Sequence, residues 1–195
     1  MTKLISAGRG CSSLRLVQDA FNVVSFPLYS RLGFDACGTA ASIVGEDVTG
    51  ELVSGLEVRN WSPSDIGEIV RLDRDLTGIS REQDLLFFHS QAPQLVAFAE
   101  KRLVGYLCIL RTGAGSFLGP GVGIDETVLR QLIVSAARLE KNKTLRARFP
   151  TRHGGLLRDL LNFGFRVENL QTYMVRGEWA VPRGGDLLAL FPEAL

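Results

Sequence analysis

The chain predicts a mixed α/β protein: a central mixed β-sheet with helices on both faces. Two observations carry that prediction. First, consecutive strand patterns between Gln94 and Leu110 give way to helix–strand alternation from Asp125 onward, which calls for a mixed sheet covered on both sides. Second, a helix closed by glycine and followed by a strand occurs twice. Residues 21–34 end in Leu32-Gly33-Phe34 and run on to Gly45-Glu46; residues 152–165 end in Phe163-Gly164-Phe165 and run on to Gly177-Glu178. Self-similarity of this kind implies two related units fused in tandem, the first reduced to its tail. The expected division is 1–50 as the strand–helix–strand remnant of a first unit, 51–56 as a linker, and 57–195 as a fuller second unit with a C-terminal tail.

Each element has a local reason. Ser12 to Val17 alternates loosely and reads as a strand leading into Asn22. Ser25 to Leu32 reads as a short helix with apolar Phe26, Leu28, Tyr29 and Leu32, and Gly33 supplies the left-handed stop. Ala40 to Val44 is a strand, and the glycine- and acid-rich stretch from Gly45 to Gly55 reads as connection. Glu57 to Asn60 starts the next strand. Ser62-Pro63-Ser64-Asp65 is a helix start: a serine cap, proline in the first turn and an acid three residues on. Ile66, Ile69, Val70 and Leu76 then share a face. Ser80 and Gln83 repeat the start signal ahead of Leu85, Leu86, Phe87 and Phe88. Gln94 to Ala99 and Leu103 to Leu110 are strands joined at Glu100-Lys101-Arg102, and Gly113 to Gly123 is a glycine-rich strand or loop. Asp125 caps a helix striped by Leu129, Leu132, Ile133 and Ala136. Thr144 to Phe149 is a strand, Leu156 to Phe163 a helix stopped by Gly164, and Leu170 to Val175 a strand. The tail from Trp179 carries a Pro-Arg-Gly-Gly turn and a last apolar stretch.

Composition narrows the function classes. A net charge of +1 on 195 residues gives no reason to expect nucleic acid or an anionic membrane as partner. No apolar run approaches the roughly 18 residues of a membrane span. The first ten residues lack the apolar core of a signal peptide, which points to the cytoplasm. Cys11, Cys37 and Cys108 are an odd number at wide spacing, so neither a disulfide framework nor a zinc pattern is expected. Two histidines, His89 and His153, are too few for a metal site.

The element order, with the Asn22…Ser25…Tyr29…Leu32-Gly33-Phe34 segment, resembles the GCN5-related N-acetyltransferases, and most closely their tandem bacterial members. The resemblance covers nearly the whole chain. It implies acetyl-coenzyme A as cofactor and a small-molecule primary amine as acceptor. In that family a splayed pair of parallel strands admits the pantetheine arm, and a glycine-rich turn before the central helix holds the pyrophosphate. An asparagine on the next strand contacts the cofactor, and a tyrosine on the following helix protonates the departing thiolate. By resemblance Asn22 matches that asparagine and Tyr29 that tyrosine. A phenol of pKa about 10 can protonate a thiolate of similar basicity at little cost. Tyr29 also reads simply as an aromatic packed on its helix.

The chain departs from the family pattern in both units. The first has no pyrophosphate turn among residues 12–50. The second has Gly119-Pro120-Gly121-Val122-Gly123, and Gly119, Gly121, Val122 and Gly123 are its candidate phosphate-binding residues through backbone N–H groups. No basic residue accompanies them, Pro120 lacks a donor, and Asp125 and Glu126 would oppose a phosphate by roughly 1 kcal/mol each. In the second copy His153 stands where the asparagine would be and Leu160 where the tyrosine would be. His153 is a candidate general base near pH 7 or a turn residue. Glu100 is a candidate base for the amine proton or a hairpin turn residue. A sheet cut short at one edge needs a cover, so a homodimer is expected. The alternative to an enzyme is a degenerate relative that binds a small ligand or dimerises.

Overall fold

The computed structural model describes residues 2–79, 81–90, 93–113 and 115–187. A short helix α1 (Thr2–Ala7), which the sequence pattern did not signal, precedes β1 (Ser13–Asp19), α2 (Ser25–Arg31) and β2 (Asp35–Gly45). Then come β3 (Glu57–Asn60), α3 (Ile66–Thr77), α4 (Glu82–His89), β4 (Leu95–Ala99), β5 (Arg102–Thr112) and β6 (Gly115–Gly123). The chain continues through α5 (Glu126–Leu139), β7 (Leu145–Pro150), α6 (Gly154–Asn162), β8 (Phe165–Gly177) and β9 (Gly185–Leu187).

The local signals act as their chemistry requires. Ser62 and Asp65 form a reciprocal capping box, with Pro63 opening a single 3-10 turn before α3. Ser80 lies outside the described residues, and α4 starts at Glu82. Asp125 caps α5: its carboxylate accepts from the N–H of Val128 at 2.8 Å. Gly33 and Gly164 both take the left-handed conformation, with φ of +83° and +103°, and a strand follows each.

Among the described residues, nine strands share one sheet, in the order β1-β8-β2-β7-β6-β5-β4-β3, with β9 paired to β6 off that path. The two helix–glycine–strand copies therefore interleave. β2 lies between β7 and β8, antiparallel to both, and β8 lies between β1 and β2. The stretch 46–56 has no regular structure but is held down: Thr49 N–H donates to the carbonyl of Phe163, and Val53 N–H to the Gln131 side chain.

The core has two faces. The stripe Leu129, Leu132, Ile133 and Ala136 of α5 is fully buried and meets Leu156 and Leu160 of α6. Each buried Leu or Ile contributes about 1.5–3 kcal/mol. On the other face Ile69, Leu85 and Phe88 of α3 and α4 pack with Trp61, Val96 and Tyr106. Helix α2 differs from α3 to α6: none of its residues is buried. Phe21, Val23 and Val24 before it are each at least 75% exposed.

Candidate functional site

The glycine-rich segment is a strand rather than a turn. Gly119, Gly121, Val122 and Gly123 all lie within β6, because the far half of β6 pairs on both sides. On one side it runs antiparallel to β5. On the other it pairs in parallel with β7 only from Ser116 to Leu118. Beyond Leu118 the two parallel strands part, which is the splay that the family resemblance calls for. The gap is filled by the chain's own β9, with Gly121 opposite Leu187, Val122 opposite Asp186 and Gly123 opposite Gly185. Leu187 is 1% exposed there and joins the main core.

The turn before β9 and its contacts with α3 explain how β9 gets in. Pro182-Arg183-Gly184-Gly185 is the tail turn. Arg183 N–H donates to the carbonyl of Leu76 at 2.7 Å, and its guanidinium to that of Asp75, at the end of α3. Gly184 has φ of +73°, and a Cβ there would stand 2.3 Å from the carbonyl oxygen of Gly123. Only glycine fits both the left-handed backbone and that approach.

His153 belongs to the clamp on β9. It is 5% exposed, so it is not a solvated turn residue. Its Nε2 lies 2.9 Å from Asp186 and its Nδ1 3.4 Å from Glu126. Arg152 also binds Asp186. Glu126 in turn accepts the N–H of Leu156 at 2.6 Å, tying the start of α5 to the start of α6. These contacts do not fit a pyrophosphate. The N–H of Val128 is taken by Asp125, that of Ile124 by the carbonyl of Val104, Pro120 has none, and two carboxylates occupy the helix start.

Asn22 and Tyr29 lie on the α2 segment of the other copy, Asn22 at its entry and Tyr29 within the helix. The Asn22 carboxamide oxygen accepts the N–H groups of Val24 and Ser25, at 3.2 and 3.0 Å, and so caps the entry to α2. Tyr29 is half-buried, edge-on to Phe34, and its hydroxyl has no partner among the described residues. Gln18 approaches the same corner: its oxygen accepts from Ser25 Oγ at 2.7 Å, and its buried Nε2 is unpaired. A buried polar donor without a partner among the described residues therefore lies beside the capped entry to α2.

Glu100 joins neither group. It and Lys101, with φ of +48° and +68°, form the two-residue turn between β4 and β5, far along the sheet from β1. Two positive φ values are what such a hairpin turn demands.

The sequence reading missed Asp186 and Gln18, and read Glu126 only as a charge opposing a phosphate. Gln18 and Glu126 have ordinary helix or strand neighbours, and Asp186 lies in a three-residue strand too short to show a period.

A family profile described as "Acetyltransferase (GNAT) domain" matches residues 69–188, more than half of the chain. The chain therefore belongs to the GNAT acetyltransferase family. Among solved structures it is similar to a protein named as an acetyltransferase from Pyrococcus horikoshii, with 18% identity and a TM-score of 0.71 over 95% of this chain and 61% of that one. It is also similar to a GCN5-related N-acetyltransferase from Sphaerobacter thermophilus, with 16% identity and a TM-score of 0.59 over 90% and 62%. A third, from Anabaena variabilis, has 13% identity and a TM-score of 0.61 over 90% and 48%. At these identities the likeness shows the fold, and the chain spans under two thirds of each of the three. No match was found among curated proteins.

Proposed function

We propose that the protein is an N-acetyltransferase that passes an acetyl group from acetyl-coenzyme A to the primary amine of a small molecule, and that the chemistry belongs to the Asn22–Tyr29 corner. The observation that carries this reading is the contrast between the two copies. The splay beside β6 is filled by β9, whereas the corner at α2 is open and keeps the family's residue types.

Acetyl-coenzyme A would supply the acyl group as a thioester. The Tyr29 hydroxyl, which has no partner among the described residues, would donate its proton to the departing thiolate. Asn22 fixes the entry to α2 and so the position of Tyr29. Gln18 offers its free Nε2 as a donor. Residues 13–45 carry no phosphate-binding turn, so the working site takes that element from outside this segment, as a tandem arrangement of units would provide.

The test is release of coenzyme A thiol across a panel of primary amines. Tyr29→Phe should lower kcat by about a hundredfold with little change in KM. Turnover with an unchanged kcat in that variant overturns the assignment.

A second reading is favoured by β9 itself: the 57–187 part is a relative that has given up the coenzyme and binds another ligand or a second copy of the chain. Acetyl-coenzyme A binding by calorimetry separates the two. Micromolar binding supports the enzyme, and no binding at millimolar concentration supports the second reading.

A further inference from the structure

A cavity of about 380 Å³ lies where β1, β2, β8, the end of β7 and the tail converge, beside the connection between α3 and α4. Its size is in the range of small-molecule sites. Neither Asn22 nor Tyr29 lines it. Three arginines do: Arg15, Arg81 and Arg152.

Their charges are not equivalent. Arg81 is neutralised by a two-pronged pair with Asp73, at 2.8 and 2.7 Å. Arg152 is neutralised by Asp186. Arg15 has no carboxylate partner among the described residues. Its guanidinium donates to Ser13 Oγ and to the Tyr173 hydroxyl, each at 3.3 Å, and lies 5.2 Å above the ring of Trp179. Arginine stays protonated and has five N–H donors, so most of its fork is unused. The Cys37 thiol, also on the wall, is pushed up by burial and then by Asp35, so it adds no negative charge. The cavity thus offers one uncompensated positive charge, set on a wall of Trp179 and Tyr173, whose rings are 5.2 Å apart.

We propose that this cavity binds a small monocarboxylate with an apolar or aromatic body. The carboxylate takes the free edge of the Arg15 guanidinium, for which a planar fork is the matching shape. The body rests on Trp179 and Tyr173 and displaces water from the apolar wall formed by Ile79, Val181 and Leu187. A lone primary amine is excluded, because the site already carries a cation. A doubly charged phosphate is less well matched, because the other two arginines are already paired. This inference does not rest on acetyl transfer, and its test uses no coenzyme.

The probes are 3-phenylpropionate, its neutral amide and the corresponding amine, titrated into the protein by calorimetry. The acid should bind, with the amide weaker by about tenfold and the amine silent. Arg15→Gln should remove the preference for acid over amide while leaving the melting temperature near that of the parent. Arg15→Lys keeps the charge but not the fork and should fall between the two. Trp179→Leu should weaken acid and amide alike. Equal binding of acid and amide, an unchanged preference in Arg15→Gln, tighter binding of inorganic phosphate than of the acid, or no heat at about 10 mM acid would each overturn the proposal.

Discussion

At the scale of single residues, buried charge is the feature that sequence patterns conceal. Asp73 is 1% exposed and is held by Arg81 on one side and by the Tyr106 hydroxyl at 2.5 Å on the other. Burial pushes Tyr106 well above its ordinary pKa, so the phenol stays neutral and donates. Replacing Asp73 by alanine strands the Arg81 cation, and removing one member of such a pair costs about 3–5 kcal/mol. Urea unfolding of Asp73→Ala should show a loss of that order; a loss under 1 kcal/mol would sink the argument, by the same scale. Glu140 is the second case. Burial alone would raise its pKa, but hydrogen bonds from Arg111, Lys143 and Ser116 bring it from 4.5 down to about 2. A depressed carboxylate stabilises the fold above its unfolded pKa and loses that contribution as pH falls through the folded one. Because Arg111 and Lys143 are nearly half exposed, the contribution is about 2 kcal/mol rather than the full linkage value. It should disappear between pH 4.5 and about 2. Glu140→Gln should flatten that part of the stability curve, measured by thermal melts across the range.

At the scale of elements, β9 and α2 are the two informative pieces. β9 is only three residues long, yet it closes the splay between β6 and β7 with Leu187 in the core. Its entry depends on Gly184, where any side chain meets the carbonyls of Gly123 and Ile124 within 3.0 Å. Gly184→Val should therefore eject the strand. Hydrogen exchange at residues 121–123 and 185–187 would rise sharply, while α5 stays protected; unchanged exchange there would contradict the arrangement. Helix α2 shows the opposite condition. Its counterpart α6 buries Leu156 and Leu160 under α5, whereas α2 has no buried residue and leaves Phe26 and Leu28 at 40% and 49% exposure.

At the scale of the whole molecule, the interleaved strands make one sheet from two sequence copies. Among the described residues, no helix is long and apolar enough to cross a membrane. Strand β1 stands at one edge of the sheet, and exposed apolar groups cluster on the segment that follows it. An open edge beside an apolar surface is a pairing site. We propose that a second copy of the chain covers it. Light scattering over a hundredfold range of about 1–100 µM should give the dimer mass. A constant monomer mass would exclude this pairing.

Much of the fold was legible because it is written in short-range chemistry. The Ser62–Asp65 box, the Asp125 cap, the Gly33 and Gly164 stops and the hairpin at Glu100 each act within a few residues. The same holds for the repeated Gly-Phe signature, which marked Asn22 and Tyr29. The candidate site was legible only in part. Gly113 to Gly123 reads locally as a glycine-rich strand or loop, and its far half is a strand because the neighbouring β5 and the more distant β9 both pair with it. His153 reads locally as a turn residue, and it became a buried clamp because Asp186 and Glu126 reach it from other elements. The sequence by itself determined where helices start and stop, which face of each is apolar, and the family resemblance. Only the tertiary structure decided which splay is filled, which arginine is left without a carboxylate, and which copy of the motif stays open. Those outcomes depend on strand register and on pairings between separate parts of the chain, and neither leaves a period in the sequence.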